Sequence, residues 1–205
     1  MKEIYLIRHS GPFVNLYNYE KQPFEERNKN MILSSVGERK AKELISIEEL
    51  HNLDEVYSSN SARAIATAKY ISEINNLEIK IDNRINERKF GVTYIEELPD
   101  NFFKKQLDNE NYKLENGESL KEVKDRFKNF LNEILKSNNQ KTALFIHGVL
   151  LMAYLSTISK VEFNNDKFKV TFNDKEVMSG IMKNPDVYKI TYDDNLNVID
   201  IVNII

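Results

Sequence analysis

Apolar positions along this chain fall into two rhythms. Short, dense apolar runs at 4–8 and 142–146, a two-residue core at Val56-Tyr57 and an alternating stretch at 77–81 predict strands. Between them the spacing lengthens to that of a helix. Val36, Ala41, Leu44 and Ile45 predict a helix over 36–50, with Ser34-Ser35 as caps, and Ala62, Ile65, Ala66 and Tyr70 predict another over 61–74. Val123, Phe127, Phe130, Leu131 and Ile134 share one face of a helix over 118–136. A further helix at 148–158 and strands near 187–192 and 197–203 complete the series.

Strands alternating with helices imply right-handed parallel crossovers. The expected fold class is α/β: a three-layer helix-sheet-helix arrangement around a mostly parallel sheet. Two stretches break the rhythm. Residues 92–117 are polar and aromatic and predict a small inserted cap over the sheet edge. Residues 159–186, rich in Asn, Asp, Lys and Phe, predict a lid or an extra hairpin. With no internal repeat and no low-complexity linker, 1–205 is expected to be a single domain.

Composition narrows the function classes. The 205 residues are 41% hydrophobic and 30% charged, with a formal net charge of −3, which argues against a protein that coats nucleic acid. No apolar run is long enough to span a bilayer, and the N-terminal residues lack a secretory h-region, so no membrane partner and a cytoplasmic location are expected. Cysteine is absent, which removes disulfides and thiolate metal sites. The seven arginines are Arg8, Arg27, Arg39, Arg63, Arg84, Arg88 and Arg126, far fewer than the lysines. Positions that keep the planar, bidentate guanidinium are therefore the ones to inspect.

Candidate chemistry gathers at strand ends. Two of the three histidines, His9 and His147, follow apolar runs directly, at the sheet edge where α/β proteins bind ligands. Arg8 precedes His9, and a guanidinium drawn into a fold needs an anionic partner. Arg63 lies near the start of a predicted helix, where free backbone N–H groups also favour an anion. His51 has no convergent partner and is expected at the surface.

These residues fall into a known order. Arg8-His9-Ser10 with Asn15 six positions beyond the histidine resembles the Arg-His-Gly opening of the histidine phosphatase superfamily, in its phosphoglycerate mutase-like branch 1. Leu33-Ser34-Ser35-Val36-Gly37 is similar to that family's Leu-Thr-x-x-Gly. Ser59 to Ala68, with Arg63, Ala64 and Thr67, is similar to its Ser-x-x-x-Arg-Ala-x-x-Thr-Ala. Glu87-Arg88-Lys89-Phe90-Gly91, Gly117-Glu118-Ser119 and His147-Gly148 resemble its remaining elements.

The resemblance implies a metal-independent phosphatase that hydrolyses a small-molecule phosphomonoester through a phosphohistidine, with no cofactor. His9 would be the nucleophile, and His147 would stabilise the transferring group. Arg8, Asn15, Arg63 and His147 would hold the phosphate, while Glu87 would give a proton to the leaving oxygen and take one from water. Ser10 stands where the family has glycine, adding a hydroxyl expected near the phosphate, and Pro12 replaces a frequent threonine. Two alternatives stay open. One is mutase-type phosphoryl transfer, although the insertion carries Lys104-Lys105 where mutases have an arginine pair. The other is a non-catalytic binder of phospho-ligands, which retention of His9, Arg63, Glu87 and His147 disfavours. Substrate identity and oligomeric state have no signal in the sequence.

Overall fold

The first strand alternates its burial between two layers, and this sets the architecture. In β1 (Lys2–Arg8), Ile4 and Leu6 join one apolar cluster while Tyr5 and Ile7 join another on the opposite face. A strand buried on both faces needs helices on both faces. The computed structural model describes residues 1–14, 23–164 and 167–205. Chain order is α1 (Phe24–Asn30), α2 (Ser35–Glu43), β2 (Glu55–Ser58), α3 (Ala62–Asn75), β3 (Ile79–Ile81), α4 (Phe102–Asp108) and α5 (Leu120–Lys136). Then come β4 (Lys141–Ile146), α6 (Gly148–Ile158), β5 (Lys160–Asn164), β6 (Lys167–Phe172), β7 (Lys175–Gly180), β8 (Asp186–Tyr192) and β9 (Val198–Asn203).

The main sheet has the order β3-β2-β4-β1-β8-β9. Its first four strands pair in parallel, whereas β8 is antiparallel to β1 and β9 to β8. This matches the expected mostly parallel α/β fold. Helices α5 and α6 supply one covering layer, through Val123, Phe127, Phe130, Leu150 and Leu151. Ala64, Ala68 and Ile71 of α3, with Leu44 and Leu50, supply the other. At α5, Ser119 and Glu122 form a reciprocal capping box that fixes the helix start.

Two stretches differ from the sequence reading, and a third, expected as a lid or an extra hairpin, extends it to three strands. The helix expected over 36–50 ends at Glu43 and continues as two single 3₁₀ turns, Leu44–Ser46 and Glu48–Leu50. Leu44 and Leu50 are still buried, so their apolar spacing reflects contact with the sheet rather than one continuous helix. Helix α1 was not foreseen because it buries none of its residues and so carries no apolar stripe. Residues 160–180 form a separate three-stranded antiparallel sheet, β5-β6-β7, on which Val170 and Met178 face the core.

Candidate active site

Parallel β1, β2 and β4 end side by side, and their carboxyl ends deliver Arg8-His9, Ser58-Ser59 and His147 to one edge. Arg63 comes from the first turn of α3, just beyond β2. Beyond His9 the chain passes close against the start of α2, and Gly37 makes this approach possible. A Cβ at Gly37 would lie 2.0 Å from the Gly11 carbonyl oxygen, so α2 can start against this loop only with glycine there. Ser34 caps the same helix, its Oγ accepting from the Gly37 N–H at 3.0 Å.

Arg63 connects the two histidines. Its Nε–H donates to His9 Nε2 at 2.9 Å, and its Nη2 donates to His147 Nδ1 at 3.0 Å. The imidazole rings sit 5.1 Å apart, tilted by 59°. A guanidinium can only donate, so both of these ring nitrogens are unprotonated acceptors. The tautomers follow. His9 keeps its proton on Nδ1, which donates to the Ser10 carbonyl at 2.8 Å. His147 keeps its proton on Nε2, which donates to Ser59 Oγ at 2.7 Å.

Electrostatics hold both rings neutral. Burial, then the Arg63 charge, pushes the His9 imidazole down to about 3, despite the opposing bond to Ser10. His147, fully buried, is driven well below the ordinary imidazole range by desolvation, with His9 and Arg63 adding to the effect. Each histidine thus presents a lone pair toward Arg63 throughout the neutral range.

Arg8 is held from the far side. Its Nη1 donates to the Met182 and Lys183 carbonyls at 2.9 and 3.0 Å, and Asn184 Nδ2 donates to the His9 carbonyl at 2.9 Å. Gly148 leaves the Arg8 side chain its room, since a Cβ there would approach Arg8 Nε to 3.3 Å. Glu87 rests on the first turn of α6. Its Oε2 accepts from Val149 N–H at 3.2 Å, and its Oε1 accepts from Leu150 N–H at 3.3 Å and Arg88 N–H at 2.9 Å. The structure therefore brings His9, Arg63 and His147 into one hydrogen-bonded unit, with Glu87 on the helix that His147 precedes. Asn15 lies outside the described residues. His51 is exposed, and its ring Nε2 meets the Ile45 carbonyl at 2.7 Å, away from the two other histidines.

The expected hydroxyl near the phosphate is a correction. Ser10 is fully buried, its Oγ donates to the Gly37 carbonyl at 2.7 Å, and its N–H donates to Thr67 Oγ1 at 3.0 Å. Thr67 in turn donates to the Arg63 carbonyl at 2.7 Å. The Ser10 hydroxyl is committed to the scaffold that joins β1, α2 and α3.

A model of the histidine phosphatase superfamily (branch 1) matches residues 4–203. The chain belongs to this superfamily. Among curated relatives it is similar to phosphoserine phosphatase 1 of Hydrogenobacter thermophilus, 31% identical over 64% of this chain and 66% of the relative. It is also similar to a probable phosphoglycerate mutase GpmB of Yersinia enterocolitica, 28% identical over 77% of this chain and 75% of that one. In fold it matches the mycobacterial glucosyl-3-phosphoglycerate phosphatase, with a TM-score of 0.71 and 17% identity over 100% of this chain and 97% of that one.

Beside the histidine centre, this histidine phosphatase carries an aromatic cluster that the motifs did not announce. Arg88 is 1% exposed, with its guanidinium carbon 4.4, 5.3 and 5.6 Å from the ring centres of Phe90, Phe102 and Phe103. Among the described residues its Nε and Nη2 have no hydrogen-bond partner. The ring faces supply the compensating attraction. Phe102 is buried at 2%, while Phe103 is 55% exposed.

Proposed function

We propose that this histidine phosphatase hydrolyses a small-molecule phosphomonoester through a phosphohistidine on His9. One observation carries the reading: the Ser10 carbonyl holds the His9 proton on Nδ1, so the Nε2 lone pair faces the Arg63 edge where a phosphoryl group would dock. Attack by Nε2 on phosphorus forms the N–P bond as the ester P–O bond breaks, and Glu87 in its acid form protonates the departing oxygen. Water then attacks the phosphohistidine, gives its proton to Glu87 and returns His9 to its neutral form.

The arginines supply charge that the equatorial oxygens need in a loose transition state. Arg8, Arg63 and Asn15 are the proposed phosphate donors. When phosphate enters, Arg63 exchanges its two ring-nitrogen acceptors for phosphoryl oxygens. His147 can then meet the same oxygens by moving its proton to Nδ1, with Ser59 Oγ turning from acceptor to donor toward Nε2. Because His9 stays neutral down to about pH 3, protonation of the free nucleophile does not limit turnover at mildly acid pH.

In the same reading 1–205 is one domain, with 92–117 as a cap that selects among esters. The acceptor is water rather than a second phospho-acid, since Lys104 and Lys105 are exposed lysines without an arginine pair. Two of the named relatives, phosphoserine phosphatase 1 and the mycobacterial glucosyl-3-phosphoglycerate phosphatase, support a phosphatase rather than a mutase. Among the described residues no helix is long and apolar enough to cross a membrane. With no cysteine that needs an oxidising environment, cytoplasm is the proposed compartment.

Brief incubation with a labelled reactive phosphomonoester, followed by alkaline quench, tests the nucleophile. Wild type is expected to carry an acid-labile, base-stable label that peptide mapping puts on His9. His9→Ala should lose the label and about a thousandfold or more of turnover. Label retained in that variant would refute the assignment.

A further inference from the structure

Arg63 presents two edges, and only one faces the histidines. The side edge, Nε and Nη2, meets His9 Nε2 and His147 Nδ1. The end edge, Nη1 and Nη2, is taken by one residue of α1. Arg63 Nη1 donates to the Asn28 backbone carbonyl and Arg63 Nη2 donates to Asn28 Oδ1 at 2.9 Å. Two acceptors from a single residue grip the guanidinium as a carboxylate would, yet add no negative charge beside an anion site.

The backbone half of this grip follows from helix geometry. Asn28 lies in the last turn of α1, where carbonyl groups have no N–H partner within the helix. The helix itself is fixed on its other side. Glu25 Oε1 accepts from Phe90 N–H at 2.7 Å, Phe24 N–H donates to the Thr93 carbonyl at 2.7 Å, and the Phe24 ring packs edge-on against Phe90 at 4.9 Å. Asn28 is therefore an anchored clamp.

We propose that Asn28 is a positioning residue: it fixes the plane of Arg63 so that the Nε/Nη2 edge points at the phosphoryl group over His9. The inference rests on the reading of Arg63 as phosphate clamp. It explains why a helix with no buried residue is retained against α3. When phosphate displaces the bonds to His9 and His147, the end-edge bonds to Asn28 persist and keep the guanidinium from rotating away. Arg63 carries about as much rotamer freedom as any side chain, so a group bound on one edge only would lose that alignment.

Steady-state hydrolysis of p-nitrophenyl phosphate by the full chain tests this, with circular dichroism to verify folding. Asn28→Leu, nearly isosteric, is expected to lower kcat/KM about ten- to hundredfold, the range for one charge-assisted hydrogen bond. Asn28→Asp keeps the acceptor, so kcat should stay within about threefold while KM rises, because a carboxylate on Arg63 competes with substrate charge. Equal loss of kcat in both variants would overturn the proposal, and if Asn28→Leu does not fold this split in the Asp variant decides it. In an Arg63→Lys background, where no second edge exists, Asn28→Leu should cost nothing further, and multiplying losses would also refute the role. An Arg63→Lys enzyme with wild-type rates would refute the phosphate clamp itself. An impaired Arg63→Lys enzyme with a neutral Asn28→Leu would refute Asn28 alone.

Discussion

The histidine centre and the aromatic cluster around Arg88 both bury arginine, but they do so by different means. Arg63 satisfies its guanidinium with ring nitrogens and with the amide and carbonyl of Asn28, all in directed geometry. Arg88 lies among three phenyl rings, and its Nε and Nη2 have no acceptor among the described residues. Hydrogen bonds are steep in angle and distance, whereas ring faces tolerate sliding. The first region is built to hold atoms in one place on a rigid sheet edge. The second joins an irregular segment, at Arg88 and Phe90, to short α4, at Phe102 and Phe103, through ring faces rather than directed bonds. In the proposed reading, chemistry belongs to the region of directed hydrogen bonds and selection among substrates to the aromatic one.

Glu87 stands at the junction of the two regions, so its substitution gives the largest effect that separates them. Glu87→Gln keeps the size of the side chain and one acceptor oxygen for the backbone N–H groups of Leu150 and Arg88, but it sets an amide NH2 opposite the Val149 N–H and has no acidic proton to give. An aliphatic phosphate, whose alkoxide needs that proton, should lose about 10²–10⁴ in kcat. With p-nitrophenyl phosphate the first step should fall far less, and the phosphoenzyme should accumulate because the base for water is also gone. Rapid-quench measurement of the labelled enzyme checks both halves. An equal, small effect on the two substrates would transfer the acid role to another carboxylate such as Glu118, which here pairs with Arg126.

A smaller effect is expected from the aromatic region. Phe103, Lys104 and Lys105 are exposed, so their joint replacement by alanine should leave folding intact and change KM several-fold, unequally among phosphomonoesters. Phe102 must be left out of that set, because truncating a buried phenylalanine costs about 3–5 kcal/mol and would test stability instead. A uniform collapse of kcat on every ester would break the division between the regions.

The same contrast explains what could be read from sequence. Arg8, His9, Arg63 and His147 were legible because arginine and histidine are uncommon in this chain and stand here at a strand end or a helix start, whereas Glu87, one of many glutamates, was legible only by its motif spacing. The parallel sheet was legible because β1 and β4 are buried on both faces and read as continuous apolar runs. Asn28, Ser59 and Asn184 make their contacts through lone polar side chains, joined at Asn28 by its own carbonyl, which leave no periodic trace. Ser59 fell inside a motif, yet its partnership with His147 required the third dimension. Helix α1 has no apolar face, so hydrophobic rhythm could not reveal it, and β5-β6-β7 alternate weakly among lysines, so the lid or hairpin expected over 159–186 came without the number or bounds of its strands. Arg88 shows the converse: its burial depends on Phe102 and Phe103, which lie more than ten positions away in the chain.

The smallest expected effect on rate lies beside the proposed nucleophile. Ser10 adjoins His9, but its hydroxyl donates to the Gly37 carbonyl and so links β1 to the start of α2. Its contributions to catalysis run through backbone atoms: the carbonyl that holds the His9 proton and the N–H that meets Thr67. Ser10→Gly keeps both and removes the CH2OH side chain, hydroxyl included. The Gly37 carbonyl, buried at the close approach to Gly11, would lose that donor, and the unfolded chain would gain freedom from the new glycine. Stability should therefore fall by about 1–3 kcal/mol in denaturant titrations, while kcat and KM for p-nitrophenyl phosphate stay close to wild type. A large change in kcat at unchanged stability would mean that the hydroxyl reaches the phosphoryl group during turnover, and that the loop after β1 moves more than its hydrogen bonds imply.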